Sequence, residues 1–172
     1  MKKQQLSISD RHDSIRGWFI YELYNWMQKD EDIWVVTGDL GYKMFDFIRR
    51  DFPKRFFNAG SSEQAMTGIS VGLALQSKKV FLYSITPFLL YRPFETIRNY
   101  IHEESIPVRL IGSGRDTDYF HDGFSHWAKE DRDVMKIFHN ITSMWPDQKE
   151  DVPAIVEQMV TINKPWYCNL RK

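Results

Sequence analysis

The chain has one cysteine, Cys168, and so cannot form an internal disulfide. Its 172 residues must be held by a core rather than by cross-links, and a lone thiol fits a reducing cytoplasm. Charge of one sign is also missing, since lysine plus arginine and aspartate plus glutamate number 23 each. With no surplus, neither nucleic acid nor an anionic membrane is expected as a partner. No apolar run is long enough to span a bilayer. The stretch Met1-Lys2-Lys3-Gln4-Gln5 is basic but has no apolar run behind it, so a secretory signal is not expected. There is no internal repeat and no low-complexity segment. A Gly-x-Gly-x-x-Gly turn and a phosphate-loop lysine motif are absent too, which excludes the common nucleotide-binding signatures.

The length fits one domain with a real core. Residues 1–12 read as a polar lead-in and residues 13–172 as the domain. Aromatic residues make up 15% of the chain, and Trp18, Tyr21, Tyr24 and Trp26 crowd its first helix. Two readings stand for them: a subunit interface, or a large aromatic core.

The pattern then alternates. Asp13 or Ser14 can cap a helix over 15–28, whose apolar positions recur at helical spacing. Ile33 to Thr37 is a short apolar run, read as a buried strand that turns at Gly38-Asp39-Leu40-Gly41. A short helix over 43–50 ends before Pro53. Strands follow at 55–58, 79–84, 107–112, 142–145 and 166–170. Helices are expected at 92–104, with Pro93 in the first turn, and at 127–138 and 152–162. Residues 86–91 read as an exit loop and 113–125 as a long polar loop. Strands separated by helices predict an α/β fold, a parallel sheet of about six strands with helices on both faces. Ligands in such folds bind at the carboxyl ends of the strands, which places Asp39 well; a turn aspartate is also ordinary.

One stretch organises the rest: Phe56-Phe57-Asn58-Ala59-Gly60-Ser61-Ser62-Glu63-Gln64, continuing as a helix of small residues to Leu75. Ser61 or Ser62 can cap that helix through a hydroxyl that accepts a free N–H, and Glu63 falls in its first turn. Taken alone, Glu63 suits the helix dipole. Gly68 and Gly72 each cost about 1 kcal/mol relative to alanine in a helix interior. Keeping both suggests that something needs the space.

This stretch, "FPKRFFNAGSSEQAMTGISVGLAL", resembles the pyrimidine-binding domain of transketolase-type thiamine diphosphate enzymes. The likeness runs from about Asp13 to Arg171. Arg16, Phe19 and Leu23 match the family's opening helix, and "VVTGDLG" its first strand and Asp-Leu turn. "FLYSITPFLLYRPFETIRNYI" resembles the segment that stacks an aromatic on the pyrimidine. "DGFSHWAKEDRDVMKIFHNITSMWPD" resembles the Asp-Gly-x-Ser/Thr-His segment and the Pro-Asp turn, and "KPWYCNL" the last strand.

The resemblance implies roles. Glu63 shares a proton with a ring nitrogen of the cofactor's aminopyrimidine, in a dry pocket where that hydrogen bond is strong. Phe88 stacks on the ring, with Tyr91 as the alternative. Asp39 and Leu40 sit at the cofactor and face a partner. Asp122 and His126 reach the substrate, where a histidine can exchange protons near neutral pH. Arg92 contacts substrate or simply opens its helix. Arg171, or Asn169 after a one-residue shift, faces a substrate phosphate. Each has a plainer reading, as packing, turn or cap. Three places depart from the family: Trp127 stands where glutamine is usual, Lys43 lies near the place of a small hydroxyl residue, and Lys78 and Lys79 replace the usual glycine before a strand.

These enzymes hold the diphosphate through a divalent metal in a second domain marked by Gly-Asp-Gly, with oxygen ligands that suit Mg2+. The 172 residues contain no Gly-Asp-Gly and end where most transketolases begin a third domain. No metal site is expected in this chain. A separate subunit carrying that motif is the implied partner, in an assembly of two copies of each chain. The implied function is ketol transfer between sugar phosphates. The alternatives are a synthase or decarboxylase acting on a 2-oxo acid, or a non-catalytic scaffold relative.

Overall fold

A computed structural model describes residues 11–41 and 43–172. Most of the polar lead-in, residues 1–10, lies outside the described residues. The strands are β1 (Ile33–Thr37), β2 (Phe56–Asn58), β3 (Lys79–Ile85), β4 (Val108–Ser113), β5 (Thr142–Met144) and β6 (Trp166–Leu170). They form one sheet in the order β2-β1-β3-β4-β6-β5, and every neighbouring pair is parallel. The chain returns from β1 to opposite sides of that strand, outward to β2 and inward to β3. That reversal opens a crevice at the carboxyl ends, where ligands of such folds bind.

The four central strands, β1, β3, β4 and β6, are buried on both faces, which is why they read as largely apolar runs, whereas the edge strands β2 and β5 are half-buried or exposed. Alternate residues divide cleanly between two cores. Ile33, Val35, Phe81, Tyr83, Ile111, Trp166 and Cys168 meet one layer: α1 (Ile15–Lys29), α2 (Asp46–Asp51) and α7 (Val152–Thr161). Val36, Val80, Leu82, Val108, Leu110 and Tyr167 meet the other. That second layer holds α3 (Glu63–Leu75), α4 (Thr86–Tyr91), α5 (Phe94–Thr96) and α6 (Asp131–Ile137). Phe19 and Leu23 of α1 are almost wholly buried. Such side chains contribute roughly 1.5–3 kcal/mol each relative to leaving them in water.

Tyr21 and Tyr24 are buried, so half of the aromatic group on α1 belongs to the core. Ser14 caps α1, its Oγ accepting the Gly17 N–H at 3.0 Å.

Four local expectations are corrected. Residues 86–91 form a helix rather than a loop. Pro87 sits in its first turn, where the missing N–H does no harm, and Leu89 and Leu90 bury against the sheet. The helix expected over 92–104 is α5, with Pro93 before it, and runs on as a wider π-helical turn, Ile97–Glu103. The helix expected over 127–138 begins only at Asp131. A bridge between Asp116 and Ala128 takes Ala128 out of the helix, and residues 129–130 turn before α6 begins. Ser62 precedes α3 without capping it: its hydroxyl donates to the Ala59 carbonyl at 2.6 Å instead.

Candidate active site

The turn after β1 places Asp39 and Leu40 at the crevice. Asp39 has left-handed backbone, φ 57°, and Gly41 follows at φ 81°. Asn58, the last residue of β2, holds the turn. Its Oδ1 accepts the Asp39 N–H at 2.8 Å and the Gly60 N–H at 3.0 Å. One side chain therefore fixes the β1 turn and the Gly60 turn against each other. Leu40 is half-buried and lines the cavities on both sides of its turn.

Glu63 is the first residue of α3 and is 5% exposed. A carboxylate this dry needs a partner. Arg92, which follows α4, donates from Nη1 to Glu63 Oε1 at 2.8 Å. The same guanidinium lies over the ring of Phe88, 3.8 Å from its centroid. Phe88 meets the His126 ring edge-on at 4.8 Å. Glu63, Arg92, Phe88 and His126 thus form one contiguous group drawn from α3, α4 and the long loop. Phe88 and Glu63 are both set by helices anchored in the same core, through Met66, Leu89 and Leu90.

The loop that carries His126 is pinned at its base. Gly114 takes φ 85°, and a Cβ there would come 2.3 Å from the Tyr119 ring. Arg115, 1% exposed, donates to the Pro146 and Asn169 carbonyls at 2.8 and 2.9 Å. Within the loop, His126 Nδ1 lies 3.0 Å from Ser125 Oγ. Phe120 and Trp127 stack, 5.7 Å apart at 11°, and Phe120 and Phe124 are exposed.

Other expected residues fall elsewhere. Asp122 is exposed on the same loop, and its side chain makes no hydrogen bond or ion pair among the described residues. The Tyr91 hydroxyl lies 3.4 Å from Glu130, so the ring contact with Arg92 belongs to Phe88 and not to Tyr91. Arg171 is paired with Asp116 at 3.3 Å, and Asn169 is buried, donating to Asp131 at 2.7 Å. Neither lines the cavities of this crevice.

A cavity of about 520 Å³ opens between the start of α1 and the ends of β3 and β4, and Glu63, Phe88, Arg92 and His126 do not line it. Its floor includes Tyr21, Tyr83 and Phe47, and its rim includes Arg11, Arg16 and Lys43. Arg16 Nη1 donates to Ser113 Oγ and to the Tyr119 hydroxyl, both at 3.1 Å. Burial pushes the Tyr83 phenol up, so it stays protonated there. Tyr119 joins this cavity to the first group, since its ring lies 6.3 Å from His126. Sequence reasoning missed Tyr119 and Asn58. Both act through partners far along the chain, and only the strand-end position of Asn58 hinted at a role. Among the described residues there is no cluster of histidine, cysteine, aspartate and glutamate able to hold a metal.

Comparisons with known proteins agree on one family. The profile of the transketolase pyrimidine-binding domain matches residues 15–172. A transketolase C-terminal section from Methanocaldococcus jannaschii is 30% identical over 144 residues, covering 83% of this chain and 46% of that protein. One of the subunits of an apulose-4-phosphate transketolase from Actinobacillus succinogenes is 29% identical over 128 residues, covering 74% and 41%. A solved structure described as a split gene transketolase, inactive β4 tetramer, superposes with a TM-score of 0.80 at 28% identity, covering 92% of this chain and 51% of that one. The chain therefore spans less than half the length of these two curated relatives.

Proposed function

This chain belongs to the transketolase pyrimidine-binding domain family, and from that premise we propose that it is the pyrimidine-binding part of a split, thiamine diphosphate-dependent transketolase. The observation that carries this reading is the buried Glu63 carboxylate beside the Phe88 face. A planar, nitrogen-rich cation already fits between them, as the Arg92 guanidinium shows by its 2.8 Å and 3.8 Å contacts. An aminopyrimidine asks for the same two things, a carboxylate at its edge and an aromatic face beneath it.

When bound, thiamine diphosphate supplies the nucleophilic carbon that takes up and passes on the ketol unit. The chain's own residues do the rest. Glu63 holds a proton at the ring nitrogen in a dry setting, where that hydrogen bond is stronger than in water. Phe88 sets the plane of the ring. Asp39 and Leu40, on the turn locked by Asn58, face the partner across the cofactor. His126 moves protons at the substrate hydroxyls, and Asp122, on the same loop, binds them. Arg92 stands at the substrate side of the ring. The Arg11, Arg16 and Lys43 rim suits the phosphate of a sugar phosphate, as guanidinium and ammonium groups do generally.

The diphosphate and Mg2+ are held by a separate subunit carrying Gly-Asp-Gly, and the assembly contains two copies of each chain. The names of the relatives support this: one is a single subunit of a transketolase, and one is a tetramer of β chains described as inactive. No helix among the described residues is long and apolar enough to cross a membrane. The buried free thiol of Cys168 suits the cytoplasm.

The test is to co-purify the chain with the Gly-Asp-Gly protein encoded beside it and to titrate thiamine diphosphate with Mg2+ by calorimetry. Tight binding is expected in the mixture and not in this chain alone, which offers only the pyrimidine half of the site. Glu63→Gln should abolish ketol transfer while circular dichroism and assembly stay unchanged. Full activity in that variant would refute the role of Glu63, and no binding by the folded, associated mixture would refute the function.

A further inference from the structure

We infer that Arg92 is a built-in occupant of the pyrimidine subsite, holding Glu63 and Phe88 until the cofactor's ring displaces it. The inference rests on the proposed function and adds a competition within the chain. The Arg92 guanidinium uses both features that the aminopyrimidine needs. It donates to Glu63 Oε1 at 2.8 Å and covers the face of Phe88 at 3.8 Å. A guanidinium is planar, weakly hydrated and a fork of N–H donors, so it imitates a protonated aminopyrimidine better than lysine could. Ring and guanidinium cannot lie on the same face of Phe88 at once. The opposite choice is hindered, because the His126 ring already packs against Phe88 at 4.8 Å.

The exposures of the pair set which partner moves. The Glu63 side chain is 6% exposed and fixed at the start of α3, while the Arg92 side chain is 48% exposed and follows the last residue of α4. Arg92 can swing into water and keep its charge solvated. Glu63 cannot, and a dry carboxylate left alone is strongly disfavoured. The reaction at this subsite is therefore an exchange: the Arg92 N–H leaves Glu63 and departs still charged, and the ring nitrogen becomes the new N–H donor by taking up one proton from solvent. After leaving, Arg92 remains on the substrate side of the ring. Apparent affinity for the pyrimidine is lowered by the fraction of chains in which Arg92 holds the subsite.

The experiment titrates thiamine, which carries the pyrimidine without the diphosphate, into the full chain. Wild type, Arg92→Ala and the Arg92→Ala/Glu63→Gln double variant are followed by NMR. Wild-type Arg92 side-chain protons should carry an upfield ring-current shift from Phe88, and that shift should vanish as thiamine saturates the site. Arg92→Ala should bind thiamine about five- to tenfold tighter, as expected when a mostly occupied subsite is freed. The double variant should lose that gain. Arg92→Gln, which keeps a hydrogen bond to Glu63, guards against a folding defect and should show a smaller gain. Equal or weaker binding by both single variants overturns the inference, as does an Arg92 shift that persists at saturation. Undetectable binding by every variant at millimolar thiamine overturns it too. Thiamine diphosphate binding by the complex with the Gly-Asp-Gly subunit reads the function separately. If the complex binds while the thiamine gain is missing, only the exchange fails.

Discussion

Asp131 gives the sharpest stability prediction. It is 1% exposed at the start of α6, and its Oδ2 accepts three hydrogen bonds. These come from Trp145 Nε1 at 2.7 Å, the Tyr167 hydroxyl at 2.8 Å and Asn169 Nδ2 at 2.7 Å. Burial and the adjacent carboxylate hold the Tyr167 phenol well above its ordinary range, so it remains a donor. The cluster ties α6 to β5 and β6 and, through Asn169 and Thr86, to the start of α4, which carries Phe88. Asp131→Ala removes the acceptor and strands three donors. A hydrogen bond to a charged group contributes roughly 1.5–3 kcal/mol, and a buried donor left unpaired costs about 1–3 kcal/mol. Simple addition overshoots, because all three share one oxygen and Asn169 Nδ2 keeps contacts of 3.3 Å to Thr86 Oγ1 and the Tyr167 hydroxyl. A loss of about 3–5 kcal/mol is expected, a large part of the 5–15 kcal/mol typical of a domain. With a urea slope near 2 kcal/mol/M, the midpoint should fall by roughly 2 M with the slope unchanged. Asp133 on the same helix is the control. It pairs only with Lys136, both are about three-quarters exposed, and Asp133→Ala should leave the midpoint in place. A midpoint for Asp131→Ala within about 0.25 M of wild type, the scatter of roughly 0.5 kcal/mol for surface changes at that slope, would refute this account.

Two further outcomes follow from burial and from space. A Cβ added at Gly68 or Gly72 would meet nothing within 4 Å, so Gly68→Ala and Gly72→Ala should each stabilise the isolated chain by about 0.5–1 kcal/mol in thermal unfolding. A loss instead would mean that the chain itself fills that space. Cys168 is wholly buried, and burial pushes its thiol from 9.0 up to about 12. The folded chain therefore keeps its proton where the unfolded chain releases it. This contribution is complete below pH 9 and is lost as pH rises towards 12. The urea midpoint should fall less steeply across that window in Cys168→Ala, and a thiol reagent at pH 8 should label the wild type only as fast as it opens.

Much of this fold could be read from the chain because its four central strands are buried on both faces. Ile33–Thr37 is an apolar run up to its last residue and Trp166–Leu170 one broken only by Asn169, and their bounds are those expected. The helices were legible where a periodic stripe was long, as in α1. Residues 86–91 were not: Thr-Pro reads as a break, yet a proline at the first turn is harmless, and burial of Leu89 and Leu90 decides for the helix. Glu63 was singled out through its neighbours, and it lies buried at the start of α3. What sequence could not supply was the identity of its contact. Arg92 is 29 positions away, and Arg16 reaches Tyr119 across 103. Pairings of that reach are made by the crossing of β-α units, and no local pattern encodes them. For the same reason Asp122 and His126 matched a motif together, yet no hydrogen bond joins them.

The two halves of the candidate site are held by different kinds of structure, and this bears on what each can vary. Glu63 and Phe88 stand on helices whose inner faces share one core with β3 and β4. The distance from carboxylate to ring is thus a property of packing, and a shift of even one methylene in that core is felt. His126 and Asp122 stand on a loop fixed at its base by the Asp116–Ala128 bridge and by Arg115, while its outer part exposes Phe120 and Phe124. Substitutions in that outer part change the surroundings of His126 and reach α4 only through its outer side, where Phe88 meets His126, while the inner faces of α3 and α4 stay in the core. Trp127, stacked on Phe120 beside His126, is such a change from the family's usual glutamine. Under the proposed function, this arrangement would let the choice of substrate drift at the loop while Glu63 stays in register with the sheet.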